Sequence, residues 1–473
     1  MSQFFDVAKI LVPKIPLILK TALLNILSLS EASKKWDLQT DLIVTVLRLI
    51  LTYPHPPSIT AQQEGSLKDP GVKGKMWVSK VEMPAPEDAV RQLLFTAIQD
   101  LKEGGEEYTP PALEPVEAEW NGYRANVSDT EPEPGMSEPE KYENLTKEAT
   151  TNVTLLYFHG GSLYLQDPCV MRSLTSKYAR LTGGRVFSVR YRLAPQNPFP
   201  AALLDALVAY LSLLYPPPGA SHKPIPASHI IFTGDSAGGN ISLSLLQTLL
   251  QIHRSNPNNN PPTIPFHGKR APIPLPGGLA LNSPSLDLTR SLPSTQTNAH
   301  YDFLPPPYID TKIKPPHCAI WPSDPPRADI YCEGSILRHP LVSPLTAKSW
   351  EGAPPTFIVC GEEMLTDEAK VFAQRAAGQR VKIVWQQYEA MPHCFSLVLE
   401  GNAGGEMCFS SWAEFCKKVV RAPDEIETEG VFVAAKSLER TPVDVSRLTV
   451  LEDEEIERLM RNSQRRMIDF IDE

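Results

Sequence analysis

His229-Ile-Ile-Phe-Thr-Gly234-Asp-Ser236-Ala-Gly238-Gly-Asn240 runs from a short apolar stretch through a glycine-flanked serine into helix-forming sequence. The apolar run reads as a buried strand, and Ala237–His253 reads as a helix. Gly234-Asp-Ser-Ala-Gly238 is therefore a G-x-S-x-G pattern in a strand–turn–helix setting, the context that gives so short a pattern meaning. A serine on such a turn is held strained with its Oγ projecting, and the helix N-terminus beyond it favours developing negative charge. Ser236 is the candidate nucleophile. The plainer alternative is a glycine-rich turn with Asp235 or Ser236 as helix cap, and the preceding strand argues against it.

Upstream, Val153–Phe158 and Arg185–Tyr191 read as further buried strands, with a helix over Ala201–Leu214. Downstream, strands are expected at Leu279–Asn282, Thr356–Cys360 and Val381–Tyr388, with a helix over Asp367–Gly378 between the last two. Alternating strands and helices indicate a doubly wound, mostly parallel sheet. Such sheets bind ligands at the carboxyl ends of their strands. Residues 1–115 read as helical, with apolar residues at helical spacing over 36–51 and a second helical stretch over 86–102. Residues 452–471 form an amphipathic pattern carrying Ile456, Leu459, Met460, Met467 and Phe470, expected to pack on the body.

Two other segments carry chemistry. His159-Gly-Gly-Ser162 follows the strand 153–158. Consecutive glycines present unobstructed backbone N–H groups to an oxyanion, so Gly160 and Gly161 are assigned that role, with the Ala237 N–H as third donor. His159 is expected to brace this loop. A serine also needs a base within hydrogen-bond reach. His393 follows the strand 381–388 by a short loop, whereas His300, His317 and His339 precede any plausible acid. Glu362, Glu363 and Asp367 compete for the acid, all just beyond the strand 356–360. Asp367 also suits a helix cap.

Composition narrows the function classes. The 473 residues carry a formal net charge of −10, and an acidic chain without a basic stripe is a poor binder of nucleic acid. The 47 prolines, about twice the usual ~5% share, cluster in stretches that read as loops. Seven cysteines without a CxxC pair give neither zinc spacing nor a dense disulfide framework. Free buried thiols are expected, a Cys318–Cys332 bridge being the alternative. No metal or nucleotide cofactor is implied, because no phosphate-cradling loop occurs. Phe4–Ser30 is Leu- and Ile-rich but broken by Lys9, Lys14, Lys20, Pro13 and Pro16. It falls short of the ~18 residues of a spanning helix. It reads as helices over the active site, or as an interfacial segment on a membrane with its lysines snorkelling. The two readings are compatible.

As a set, the motifs are similar to those of the hormone-sensitive-lipase family of α/β-hydrolases, which includes arylacetamide-deacetylase-like enzymes and fungal esterases. The matching blocks are His159-Gly-Gly-Ser, Tyr191-Arg-Leu-Ala-Pro, Gly234-Asp-Ser-Ala-Gly-Gly-Asn, Asn282-Ser-Pro-Ser-Leu-Asp, His339-Pro-Leu-Val-Ser-Pro and Pro392-His-Cys-Phe, collinear over about 150–400. Ser162 stands where the family usually has a third glycine. The resemblance implies an α/β-hydrolase fold with a mostly parallel sheet and helices on both faces; residues 1–115 and the tail after about 420 lie outside it. From its own patterning the chain is expected to divide into a helical N-terminal extension or cap at 1–115, a linker with early strands at 116–150, and a catalytic domain at 151–425 with insertions at about 255–276 and 291–335. A C-terminal extension at 426–473 holds the amphipathic helix. The family's acid falls on Glu363, 30 residues before His393, with Asp367 as second choice. The implied activity is serine carboxylester hydrolysis of a lipophilic or acetylated small-molecule ester through an acyl-enzyme. Acyl transfer would use the same intermediate. A non-catalytic binder is disfavoured, since all three triad positions carry competent residues.

Overall fold

The computed structural model describes residues 10–257, 261–307 and 314–469; Phe4, Asp6 and Lys9 of the N-terminal stretch and Phe470 of the tail lie outside them. The strands are β1 (Met76–Met83), β2 (Val116–Tyr123), β3 (Thr154–Phe158), β4 (Arg185–Arg190), β5 (Ile230–Asp235), β6 (Thr263–Phe266), β7 (Lys269–Pro272), β8 (Gly278–Asn282), β9 (Thr356–Gly361), β10 (Ile383–Tyr388), β11 (Glu429–Val433) and β12 (Arg440–Pro442). Among the described residues, ten of them form one sheet in the order β1-β2-β4-β3-β5-β8-β9-β10-β11-β12. Pairing is parallel from β4 through to β11 and antiparallel at both margins.

The two-residue period of a strand sends alternate side chains to opposite faces, and here both faces are apolar. Leu156, Phe158, Phe232, Ile358 and Cys360 enter one core, while Leu155, Tyr157, Ile231, Phe357 and Val359 enter the other. The first core is closed by helices α4 (Asp88–Leu101), α6 (Ala201–Leu214), α7 (Ala237–Ser255) and α8 (Thr366–Gly378). The second is closed by α5 (Arg172–Thr182) and α9 (Ala403–Arg421). All 14 residues of α6 are buried, as expected of a helix apolar all round. Its buried Asp205 is paired with Arg192 at 2.8 Å.

Helices α1 (Ile15–Ile26), α2 (Leu38–Leu51) and α3 (Ile59–Ser66) form a layer at the carboxyl ends of the strands. Asn25 Nδ2 donates to Asp41 Oδ2 at 2.9 Å, fixing α1 to α2. Asp37 caps α2 by accepting from Thr40 N at 2.7 Å. The Trp36 indole donates to Ala390 O, beyond β10, at 2.7 Å. Trp36 and Val44 pack with Phe303, from the chain after β8. Gln63 Nε2 donates to Tyr164 O at 2.9 Å and Ala194 O at 2.8 Å, beyond β3 and β4. No described helix is long and apolar enough to cross a membrane.

Two local readings need correction. Residues 1–115 are not wholly helical: Met76–Met83 is a strand, stabilised by antiparallel pairing with 116–123 and not by any local signal. The proline-rich stretch 255–276 holds the β6–β7 hairpin, turned by His267 and Gly268 at φ 51° and 70°. Helix α9 begins Ala-Gly-Gly, a poor helix former, and Asn402 caps it by accepting from Gly404 N and Gly405 N. The tail helix α10 (Asp453–Asp469) lies on the body, with Ser463 Oγ donating to Thr289 O at 2.6 Å. All seven cysteines are free.

Trp36→Ala removes the indole and its bond to Ala390, and is expected to cost about 3–5 kcal/mol of docking of the 30–66 segment. Limited proteolysis across Tyr53–Pro57 should accelerate correspondingly; an unchanged cleavage rate would contradict this packing.

Candidate active site

Between the end of β5 at Asp235 and the start of α7 at Ala237 there is only Ser236, so one residue makes the whole turn. It does so at φ 52°, ψ −118°, a costly conformation for a residue with a Cβ. Backbone bonds pin it on both sides: Ser236 N donates to Asn282 O at 3.0 Å, and Ser285 N donates to Ser236 O at 3.0 Å. The flanking glycines are steric necessities. A Cβ on Gly238 would lie 1.9 Å from Phe158 O, and one on Gly234 would lie 2.4 Å from the Gly238 carbonyl carbon. Ser236 is half-buried between buried neighbours.

The loop after β3 is braced as expected of His159. Its ring stacks on Tyr191 at 4.3 Å, and its Nδ1 lies 2.7 Å from Gly160 O. Burial pushes its pKa down to about 4, so it is a neutral structural group. The Gly160 amide favours the anion of the buried Asp235 carboxyl, which accepts from Tyr157 Oη at 2.5 Å. A Cβ on Gly160 would lie 2.4 Å from Asp235 Oδ2. The following residues turn left-handed, with Gly161, Ser162 and Leu163 at φ 98°, 54° and 66°. The amides of Gly161, Ser162 and Ala237 have no acceptor among the described hydrogen bonds.

The acid candidates separate cleanly. Glu363 is fully buried, and its Oε2 is hydrogen-bonded to His393 Nδ1. Its Oε1 accepts from Ser283 Oγ at 2.5 Å and Gly361 N at 3.2 Å. Asp367 Oδ2 instead accepts from Ser294 N at 2.8 Å, capping a short helix from the 291–335 insertion and not its own. Glu362 Oε2 accepts from Ala390 N at 3.0 Å. The strand end carrying Glu363 and the loop carrying His393 touch backbone to backbone, since a Cβ on Gly361 would lie 2.0 Å from Met391 O.

Burial alone would lower the pKa of His393, but interactions with Cys394 and Glu363 outweigh it and hold the ring well above its usual value. Burial pushes the Cys394 thiol up to about 11. His393 Nε2 lies 3.5 Å from Cys394 Sγ, and Ser236 Oγ has no hydrogen-bond partner among the described residues. The Ser–His contact is thus not made here; such bonds are often long outside the reacting complex. Phe303 meets the ring edge-on at 6.1 Å. The groove lined by Phe357, Val384, Gln386 and Phe415 lies at the opposite, amino ends of β9 and β10. Sequence reasoning gave no role to Ser283, although it sits in a quoted block, nor to Asp302, which lies in an insertion read as loop.

Residues 155–397 match the family described as alpha/beta hydrolase fold. The chain is 31% identical over 242 residues to an acetyl-hydrolase of Streptomyces hygroscopicus, covering 51% of this chain and 67% of that one. It is 28% identical over 275 residues to an esterase of Acinetobacter venetianus, covering 58% and 77%. Its fold is similar to the crystal structure of an esterase from the bacterial hormone-sensitive lipase family, with TM-score 0.53, 21% identity, and 81% and 98% of the two chains covered.

Gly238→Ala forces a methyl group against Phe158 O and is expected to destabilise the protein by about 3 kcal/mol or more. Chemical denaturation measures this, and a wild-type midpoint would refute the close approach.

Proposed function

The chain belongs to the α/β-hydrolase family, with the motif set of its hormone-sensitive-lipase branch, and from that premise we propose that this carboxylic ester hydrolase works through an acyl-enzyme on Ser236. The observation that carries the reading is the buried Glu363–His393 pair beside a strained serine at the β5–α7 turn. Ser236 Oγ attacks the ester carbonyl as His393 Nε2, swung from Cys394 toward it, takes the proton. Glu363 holds the tautomer and stabilises the imidazolium. The amides of Gly161, Ser162 and Ala237 receive the oxyanion, in place of the Gly160 pairing expected from sequence. His393 then protonates the leaving alcohol, and water enters by the reverse route. Relatives named acetyl-hydrolase and esterase favour water as acceptor.

The substrate is a lipophilic or acetylated small-molecule ester. Phe303, Trp36, Val44 and Leu304 form an apolar wall beside His393. Helix α1 adds an anionic lipid surface as partner. Leu19, Leu23, Ile26 and Leu29 are each more than half exposed. Residues 10–30 contain Lys14 and Lys20 but no acidic residue, in a chain of net charge −10. An apolar helix bearing only cations lies in the headgroup region with its lysines outward.

Ser236→Ala is expected to lower turnover by about five orders of magnitude with the fold intact, and Glu363→Gln by about 10³–10⁴-fold. Asp367→Asn should mainly cost about 1 kcal/mol of stability. A reversal of the last two would make Asp367 the acid. Because the base must be neutral and its pKa is raised, kcat/KM should rise with pH through an apparent pKa above about 6.5, and Glu363→Gln should move that limb down. Leu23→Glu should abolish co-sedimentation with phosphatidylserine vesicles while hydrolysis of p-nitrophenyl acetate persists. A dimer that ignores vesicles would assign the helix to a second copy instead.

A further inference from the structure

Asp302 is fully buried, and among the described residues every hydrogen bond its carboxylate makes is to a backbone amide. Oδ2 accepts from Met364 N at 2.8 Å. Oδ1 accepts from Phe303 N at 2.7 Å, Leu304 N at 3.2 Å and His393 N at 3.3 Å. Met364 follows Glu363 directly. One carboxylate therefore joins the backbone beside the acid to the backbone of the base itself. The same loop reinforces the first side: Asn298 Nδ2 donates to Glu363 O at 3.0 Å, and Ser294 Oγ to Met364 O at 2.8 Å.

The loop is in turn held from the N-terminal layer. Arg48 of α2 donates to Asp302 O through Nε at 3.0 Å and Nη2 at 2.6 Å, and to His300 O through Nη2 at 3.0 Å. The Tyr301 ring meets Trp36 edge-on at 6.1 Å. Arg48 thus grips the loop by its carbonyls and leaves the carboxylate to the amides.

We propose that Asp302 is a positioning residue that sets the relative placement of Glu363 and His393, and that Arg48 makes this placement depend on the docked N-terminal helices. The proposal rests on the ester-hydrolase reading. A carboxylate is required because both oxygens accept; an amide in its place would turn an N–H toward one of the donating backbones. Its charge acts too. The groups around the His393 ring are Glu363, the Cys394 thiol, Asp235 beneath Ser236, and Asp302, with Arg48 beside Asp302. Burial and Glu363 raise the Asp302 pKa, while the four donated amides favour its anion, and as an anion it favours the imidazolium that forms during attack.

The test compares the wild-type chain, Asp302→Asn and Arg48→Met with p-nitrophenyl acetate, alongside thermal melting and fluorophosphonate labelling of Ser236. For Asp302→Asn, kcat should fall about 100-fold with KM changed less than about threefold. The acid limb of kcat/KM should move down by about one pH unit. For Arg48→Met, kcat should fall about tenfold with KM unmoved. A folded Asp302→Asn with wild-type kcat and an unmoved limb overturns the proposal. If that variant fails to fold, a folded Arg48→Met with wild-type kcat overturns it. A wild-type chain that is neither labelled nor active sinks the ester-hydrolase reading instead, a distinguishable result.

Discussion

Between the carbonyl oxygen of Phe158 and the α-carbon of Gly238 there is no room for a side chain, and the geometry of the site follows from that contact. It draws the end of β3 against the first turn of α7. The loop that leaves β3 then passes over the serine that precedes α7. The buried Asp235 carboxyl accepts from the Tyr157 hydroxyl in the same place. A similar contact, Gly361 against Met391, joins the acid's strand to the base's loop. Two glycine contacts thus gather groups from four strands at one edge.

The strands leading to the candidate site were legible because burial on both faces makes them short continuous apolar runs, and because each carries a candidate residue just past its end. Ser236, Glu363 and His393 stand at such ends. The left-handed run from Gly161 to Leu163 was not legible, because neither Ser162 nor Leu163 is a residue that favours that conformation. Asp302 was hidden for another reason. Its proline-rich surroundings look like solvated loop, and its significance comes from amides more than 60 residues away in sequence. Strand β1 was masked by the same effect in backbone form, since its partner lies beyond an intervening helix. Interactions that are long in sequence and made by the backbone leave little trace in composition or period.

A buried carboxylate is costly unless its oxygens are occupied. Glu363 has the imidazole, the Ser283 hydroxyl and the Gly361 amide. Ser283 itself adopts φ 46° and also accepts from Cys394 N at 3.1 Å, so it touches both sides of the pair. The left-handed backbone at Ser236 and Ser283 is held by the surrounding hydrogen bonds.

The antiparallel margins of the sheet bear on how copies of this chain meet. Strand β12 is three residues long, exposed throughout, and reads Arg440-Thr441-Pro442, a charged edge ending in a residue without an amide hydrogen. At the far margin, Glu138 Oε2 occupies the Lys80 amide of β1 at 2.6 Å. Short, charged or covered edges resist pairing with a neighbouring strand. The long apolar sheet at the centre of this molecule is thus shielded at both margins from fusing edge to edge with another sheet, which favours solubility when the protein is crowded.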